Sequence, residues 1–244
     1  MYKIAYLIFG KQVHYNKILA VTFTNKAAAE MKERLVKISG EMQSIGLSFS
    51  DQQSSLVSSS GDDGIDDFLQ SIQSTQPASS IKQLDAHSFK WIGTFHSIFL
   101  KMLKEDIEKL EMKYTKNFGI FDIGETQSVI KDVLKQLSLT DVFKVQEVKS
   151  FISTQKNNGL DPHAFIKYAN SDYDQNMYAV YDKYQKALEL ANSLDFDDLL
   201  LLPYLLFKKH PNVLLKWQQQ FTYILVDEAQ DTNWIQFELM KMLS

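Results

Sequence analysis

Three short apolar segments of strand length are separated along the chain by long stretches with helical periodicity. The segments are Ile18–Phe23, Trp91–Phe95 and Tyr223–Val226, and a candidate helix follows each of them. Strands that alternate with helices are typical of a parallel sheet covered by helices. We therefore predict an α/β fold. Three strands are few for 244 residues, so either the sheet is incomplete in this chain or further strands carry no clear signal.

The apolar periodicity elsewhere predicts a chain that is mostly helical. Asp161, which precedes a proline, and Asp195 are candidate N-caps, whereas Gly10 and Gly159 lie where predicted helices end. The predicted helices are Tyr2–Phe9, Lys26–Ile38, Ser97–Leu110, Glu125–Leu137, Val145–Lys156, Pro162–Ala169, Asp174–Ala191, Phe196–Phe207, Pro211–Gln219 and one that begins near Asn233.

Residues 43–88 differ in composition from the rest of the chain. Twelve serines lie between Gln43 and Ser80, and the segment holds six aspartates and one lysine. So few apolar side chains cannot offset the entropy that ordering would cost. We predict a disordered insertion with a transient helix at Ile65–Ile72, and an ordered serine-rich loop is the alternative.

Composition excludes several kinds of protein and site. The chain has no cysteine, which excludes disulfides, thiolate zinc sites and cysteine nucleophiles. The absence of cysteine is also typical of proteins in a reducing compartment. The longest apolar run, Leu199–Phe207, is far shorter than the about 20 residues of a membrane span. The first residues make a poor signal peptide, so we predict a cytoplasmic protein without membrane contact.

The distribution of charge leaves room for an anionic partner. The net charge is −4 overall, but it is +1 once residues 43–88, with a net charge of −5, are set aside. A local basic groove is therefore compatible with the sequence. Arg34 is the only arginine, so a site that needs several planar guanidinium groups is excluded from this chain.

The strongest local signal is the apolar segment Tyr223–Val226, which runs directly into Asp227 and Glu228. This is the Walker B arrangement, in which a buried strand delivers a carboxylate to the sheet edge where α/β proteins bind ligands. An aspartate there can hold Mg²⁺, and the adjacent glutamate can polarise a water. There are two alternatives. One is a strand end with two solvated acidic side chains, and the other is an unrelated Mg²⁺-dependent hydrolase.

Two further segments place polar groups at a turn from strand to helix. The first carries Phe23, Thr24 and Asn25, where a helix start favours an anion and an aromatic ring can stack on a base. The second carries Thr94 and His96. The alternatives are an ordinary capped helix with Phe23 in the core, and a histidine that serves as a hydrogen-bonding strut.

A phosphate-binding loop of the form GxxxxGK[ST] does not occur in the sequence. The one Gly-Lys pair is Gly10-Lys11, which has Ala5 in place of the first glycine and Gln12 in place of the hydroxyl residue. The segment before it has helical rather than strand character. It is therefore not a Walker A loop.

Taken together and in order, these segments resemble the UvrD/Rep/PcrA family of superfamily 1 DNA helicases. The segments that carry the resemblance are AVTFTNKAAAEM, WIGTFHS, FGIFD, FISTQKNNGLDP, LDFDDLL and FTYILVDEAQDTN. The resemblance implies a RecA-like (P-loop NTPase) parallel sheet, incomplete here, with an inserted and mostly α-helical subdomain. It also implies ATP and Mg²⁺ as cofactors and ATP-driven 3′-to-5′ movement on DNA.

The resemblance divides the chain into parts. Residues 1–42, 89–110 and 201–244 would belong to the RecA-like domain, 111–200 would be the helical subdomain, and 43–88 would be an insertion foreign to the family pattern. The implied partners are single-stranded DNA, duplex junctions and the remainder of the helicase polypeptide, which includes a second RecA-like domain.

The resemblance also implies residue roles. Asp227 would hold Mg²⁺, Glu228 would be the general base for the hydrolytic water, and Gln230 would sense the γ-phosphate. Asp195, Phe196 and Asp198 would lie near the DNA strand or brace the exit of the subdomain. The residues implied in DNA binding are Phe23, Thr24, Asn25, Thr94, His96, Asp195, Phe196 and Asp198.

Two departures from the family pattern bear on activity. The Walker A loop and the arginines that clamp the γ-phosphate are absent from this sequence. We therefore expect a fragment of the first motor domain that cannot hydrolyse ATP by itself. The alternative is a module that binds DNA or a partner without ATPase activity.

Overall fold

The computed structural model describes residues 2–48 and 84–244. In chain order the strands are β1 (Ile18–Thr22), β2 (Ile92–Thr94), β3 (Gly119–Ile120), β4 (Ser193–Leu194) and β5 (Tyr223–Val226). The α-helices are α1 (Tyr2–Ala5), α2 (Asn25–Ser48), α3 (Phe95–Asp106), α4 (Ile123–Gln136), α5 (Val145–Asn157), α6 (Pro162–Phe165), α7 (Asp172–Leu190), α8 (Asp198–Lys209), α9 (Pro211–Gln220) and α10 (Trp234–Leu243).

These residues form two compact units. The first comprises the described residues of 1–94 together with Gln220–Asp227, and the second comprises Phe95–Gln219 and Glu228–Ser244. The fold is mixed α/β, mostly helical, with small parallel sheets. No helix within the described ranges is both long enough and apolar enough to cross a membrane.

The first unit is built on a three-stranded parallel sheet with the order β2-β1-β5. All five residues of β1 are buried, because it lies between the other two strands and its apolar, partly β-branched sequence suits that position. Ala20 pairs with Ile92 on one side and with Leu225 on the other. The three predicted strands and their parallel pairing are therefore confirmed.

Two predictions about helix ends in this unit need correction. Gly10 is the last residue of a π-helical turn, Tyr6–Gly10, that continues α1, and it does not have the left-handed conformation of a C-cap glycine; Gln12 has that conformation instead. Helix α2 continues to Ser48, so the first residues of the predicted disordered insertion are helical. Residues 49–83, including the transient helix predicted at Ile65–Ile72, lie outside the described residues.

The second unit is a helical assembly around α8. Leu199–Phe207 is buried throughout, as expected for a helix that is apolar on all faces, and α3, α5 and α10 pack around it. The two-residue strands β3 and β4, which were not predicted, pair in parallel. Asp195 accepts the backbone N–H of Asp198 at 2.9 Å, but α8 begins at Asp198, two residues later than predicted.

Helix α5 ends in a Schellman motif. The N–H of Leu160 donates to the carbonyl of Gln155, and the N–H of Gly159 donates to that of Lys156, both at 3.0 Å. Gly159 has a φ of +71°, as its predicted position at the helix end requires. A Cβ at Gly159 would lie 2.5 Å from a ring carbon of Trp234, so this site is closed to larger residues.

We expect Gly159→Ala to destabilise the chain by roughly 2–4 kcal/mol, because it adds left-handed backbone strain and a steric clash. The matched control is Gly40→Ala, at an exposed position of α2 where a Cβ meets nothing within 4 Å. That change should stabilise by about 0.5–1 kcal/mol, since alanine favours helix over glycine. Urea unfolding measures both, and equal effects would contradict the role given to Gly159.

Candidate functional site

In the first unit, three sequence motifs meet at one edge of the sheet. Thr22 pairs with Thr94 at the ends of β1 and β2, and the N–H of Asp227 donates to the carbonyl of Val21 at 2.9 Å. The carboxyl ends of parallel strands lie at the same edge, where open α/β sheets bind ligands. The residues that follow β1, the end of β2 and the aspartate that follows β5 are thereby brought together.

At this edge α2 begins with a capped N-terminus. Thr24 Oγ1 accepts the N–H of Ala27 at 3.1 Å, and the Thr24 carbonyl accepts the N–H of Ala28, so Thr24 is the N-cap. Thr24 and Asn25 are exposed and Phe23 is half-buried. This start of a helix offers positive potential to an anion, and Phe23 is not enclosed in the core.

Asp227 is the acidic side chain that β5 delivers to this edge, and it is exposed. Within residues 2–48 and 84–244 no group of three His, Cys, Asp or Glu side chains could hold a metal ion. Mg²⁺ keeps several waters and takes one or two carboxylates together with substrate phosphates. A single exposed Asp227 therefore fits a magnesium ion that arrives with a nucleotide.

In the second unit, Glu228 begins a short loop that is stabilised by hydrogen bonds between its own residues. Its backbone is left-handed, with φ 51° and ψ 45°, which is uncommon for a residue other than glycine. Gln230 Nε2 donates to Glu228 Oε2, and the N–H of Asp231 donates to the Glu228 carbonyl at 2.9 Å. Both Glu228 and Gln230 are exposed, so the glutamate carboxylate is presented to solvent with one oxygen already oriented.

Also in the second unit, His96 stacks on Phe196. Their ring centroids are 3.8 Å apart with an interplanar angle of 21°. Burial lowers the pKa of His96 to about 4, so the imidazole is neutral at physiological pH and brings no positive charge to a phosphate. Phe196 remains 58% exposed. The contact that the structure describes for the His96 ring is this stacking on Phe196 rather than the hydrogen bond of the predicted strut, and Phe196 keeps more than half of its surface exposed.

Asp195 and Asp198 lie in a buried ionic cluster. Lys156 Nζ contacts Asp195 Oδ2 and Asp198 Oδ1, each at 2.7 Å, and the Tyr184 hydroxyl donates to Asp195 at 2.8 Å. Lys156 and Asp198 are 0% exposed, so a DNA strand has no access to the Asp198 carboxylate. Of the two roles predicted for these aspartates, bracing the subdomain is the one that fits.

The pKa values in this cluster are shifted because one buried lysine pairs with two carboxylates. Burial alone would lower the pKa of Lys156, but Asp195 and Asp198 raise it above its ordinary value. Burial and the charge of Asp195 raise the pKa of Asp198 to about 7. The cluster therefore retains a positively charged lysine, and Asp198 holds its proton more tightly than a solvated carboxyl group would.

Sequence reasoning missed Lys156 and its neighbour Asn157. The signal was available, because Val148, Ile152 and Lys156 follow one another at intervals of four and share the buried stripe of α5. A lysine on such a stripe needs buried acidic partners. Asn157 donates to Asp197 Oδ1 at 2.9 Å and accepts from Asn233 Nδ2 at 2.8 Å.

A cavity of about 620 Å³ opens beside the turn that carries Phe196. Its walls are mostly apolar, and Lys149, Asp122 and Asp197 supply charge among the lining residues. Tyr184 and Asp195 of the buried cluster also line it. The cavity thus lies between the exposed aromatic ring and the ionic cluster that braces it.

Comparison with known proteins relates these features to one family. The UvrD/REP helicase N-terminal domain matches residues 1–244. The ATP-dependent DNA helicase PcrA of Bacillus subtilis is 37% identical over 244 residues, and the proteins of the same name from Staphylococcus aureus and Leuconostoc citreum are 34% and 32% identical. Each match covers 100% of this chain and 27% of the relative.

The low pKa of His96 predicts a pH dependence of stability. The unfolded chain takes up a proton near pH 6.5 and the folded chain only near pH 4, so the stability that neutral His96 contributes is present above pH 6.5 and is lost as the pH falls toward 4. Urea unfolding of wild type and His96→Phe between pH 7 and pH 4 should show a steeper loss in wild type. Parallel pH profiles would contradict this assignment.

Proposed function

The chain belongs to the UvrD/REP helicase N-terminal domain family, and we propose that it forms part of the first, RecA-like motor domain of an ATP-dependent helicase that moves 3′ to 5′ on DNA. It spans about a quarter of the length of its relatives, so its partners would include the rest of the helicase polypeptide. Single-stranded DNA and duplex junctions would be its substrates in replication, repair or recombination, in the cytoplasm.

The observation that carries this proposal is the register of the three-stranded sheet. Because Thr22 pairs with Thr94 and Asp227 bonds to Val21, the helix start after β1, the end of β2 and the acidic residue after β5 share one edge. Among the proposed DNA-contacting residues, Phe23, Thr24, Asn25 and Thr94 therefore lie at the same sheet edge as the proposed magnesium ligand, Asp227. That arrangement suits a motor in which a nucleotide and a DNA strand act on the same sheet.

The acidic residues after β5 would serve nucleotide chemistry. Asp227 would hold the Mg²⁺ that accompanies ATP, and the metal would neutralise charge on the phosphates. Glu228, exposed and oriented by Gln230, would accept a proton from the attacking water, as a general base must lie within hydrogen-bond reach of it. Gln230 would contact both the glutamate and the γ-phosphate and so report the state of the nucleotide.

Two aromatic rings would contact DNA bases. Phe23 in the first unit is half-buried at a helix start, and Phe196 in the second unit is 58% exposed on the His96 ring. Stacking on bases is tolerant of sequence, which suits a motor that must move over any DNA. Thr24, Asn25 and Thr94 would bind the sugar-phosphate backbone through hydroxyl, amide and N–H groups.

The proposed domain division places 1–42, 89–110 and 201–244 in the RecA-like domain and 111–200 in a helical subdomain. Its support is that the three-stranded sheet draws on β1, β2 and β5, which flank the helical segment. The boundary at 200/201 falls within α8, and the second compact unit also takes in 95–110, 201–219 and 228–244. Limited proteolysis that released a stable fragment of 111–200 would support the proposed division, and release of a fragment of about 95–219 would contradict it.

We expect the 244-residue chain to hydrolyse no ATP by itself, because phosphoryl transfer depends on positioning and charge that a Walker A lysine and an arginine finger supply. The measurement is phosphate release with Mg²⁺, ATP and single-stranded DNA, compared with a blank lacking protein. Hydrolysis that DNA stimulates and that Glu228→Gln abolishes would refute this expectation.

We expect the chain to bind single-stranded DNA and to lose roughly 10-fold in affinity in Phe23→Ala, since base stacking is worth about 1–3 kcal/mol. Fluorescence anisotropy with labelled oligo(dT) measures this, and affinity should fall with added salt. The control is Tyr168→Ala, which removes an aromatic ring that is 63% exposed and has no proposed DNA contact. No binding at low salt, or equal losses in the two variants, would contradict the proposal.

A further inference from the structure

A single side chain, that of Asn157, joins two functional segments of the second unit. Its Nδ2 donates to Asp197 Oδ1 at 2.9 Å, and its Oδ1 accepts from Asn233 Nδ2 at 2.8 Å. Asp197 is the residue after Phe196, and Asn233 closes the loop that begins at Glu228. Two hydrogen bonds through Asn157 therefore connect the turn that carries the proposed DNA-stacking ring to the loop that carries the proposed general base.

The Asn157 side chain is held in one position. Its Nδ2 also donates to the Ser153 carbonyl one turn earlier at 2.8 Å, and the Schellman motif fixes the end of α5. The adjacent Lys156 is anchored in the buried cluster by two contacts of 2.7 Å. Asn157 therefore moves together with the end of α5, so a shift of Asp197 is passed to Asn233 through one rigid helix end.

The far end of this connection is equally well fixed. Asn233 is the N-cap of α10, where its Oδ1 accepts the N–H of Gln236 at 3.0 Å and its N–H donates to Gln236 Oε1. Its Nδ2 remains for Asn157. The next residue, Trp234, packs over Gly159 and meets the ring of Tyr204 at a centroid distance of 5.5 Å. The start of α10 therefore packs against the end of α5.

We propose that Asn157 is a positioning residue that transmits contact of single-stranded DNA with Phe196 to the loop between Glu228 and Asn233. The inference rests on the proposed function for the DNA contact, whereas the connection itself rests on the two hydrogen bonds. Asparagine suits the position because it supplies a donor to the Asp197 carboxylate and an acceptor to the Asn233 amide. Aspartate would lose the donor and place a second carboxylate beside Asp197.

Trp234 provides an optical readout of the loop. It is 45% exposed, whereas Trp91 and Trp217 are 4% and 2% exposed, so acrylamide quenching of tryptophan fluorescence reports mainly on Trp234. Comparison of wild type with Trp234→Phe gives the part of the fluorescence quenching that comes from Trp234. Binding of oligo(dT), followed separately by anisotropy, is expected to change this quenching in wild type.

The decisive comparison uses Asn157→Ala at saturating oligo(dT). The proposal predicts that the DNA-induced change in Trp234 quenching is lost although DNA still binds. The double swap Asn157→Asp with Asp197→Asn should restore part of this change, because the new carboxylate accepts from both asparagine amides but cannot donate to the Ser153 carbonyl. Circular dichroism confirms that each variant is folded. A DNA-induced change that persists in folded Asn157→Ala would overturn the proposal.

A second measurement needs no DNA and separates this inference from the proposed function. Asp197→Ala is expected to raise the quenching of Trp234 when Asn157 is present and to have no further effect in the Asn157→Ala background. Additive effects of the two substitutions would overturn the proposal. If oligo(dT) does not bind wild type at all, the proposed function fails, and this cycle still decides whether Asn157 links the two segments.

Discussion

β1 pairs in parallel with a strand on each side, and the chemistry proposed for the first unit depends on that pairing. Parallel register places the carboxyl ends of all three strands at one edge, so residues that are about 200 positions apart in the sequence, such as Phe23 and Asp227, follow neighbouring strands. A slip of one residue would turn the side chains of β1 to the opposite face. The full burial of β1 makes such a slip costly.

The second unit depends on a different constraint, the burial of Lys156 between two aspartates. Removing a lysine from water is costly unless its partners are close, and Asp195 and Asp198 each lie at 2.7 Å. The cluster fixes the ends of α5 and α8 and the turn between β4 and α8. Phe196 projects from that turn, so an exposed ring that would bind DNA rests on a buried ionic network. Asn157 and Gly159, next to Lys156, extend the same rigid helix end to the start of α10.

Much of this fold could be predicted from local signals. Apolar runs identified β1, β2 and β5, and the N-cap predicted at Asp161 was confirmed, because each depends on residues close in sequence. The strands β3 and β4 were missed because two residues carry no periodicity. For Asp195 and Asp198 the sequence predicted an N-cap and, by resemblance, a place near DNA or a bracing role, but not the ionic cluster, because their partner Lys156 lies about 40 positions away and only tertiary structure brings it near. The role of Asn157 was missed for the same reason.

Photocrosslinking tests most directly whether DNA contacts the two proposed segments, which are the helix start after β1 in the first unit and the turn at Phe196 in the second. The chain would be irradiated with oligo(dT) that carries 5-iodouracil, and the crosslinked peptides would be identified by mass spectrometry. Adducts are expected at Phe23 or its neighbours Thr24 and Asn25, and at Phe196. Crosslinks confined to lysine-bearing surfaces away from both segments would contradict it.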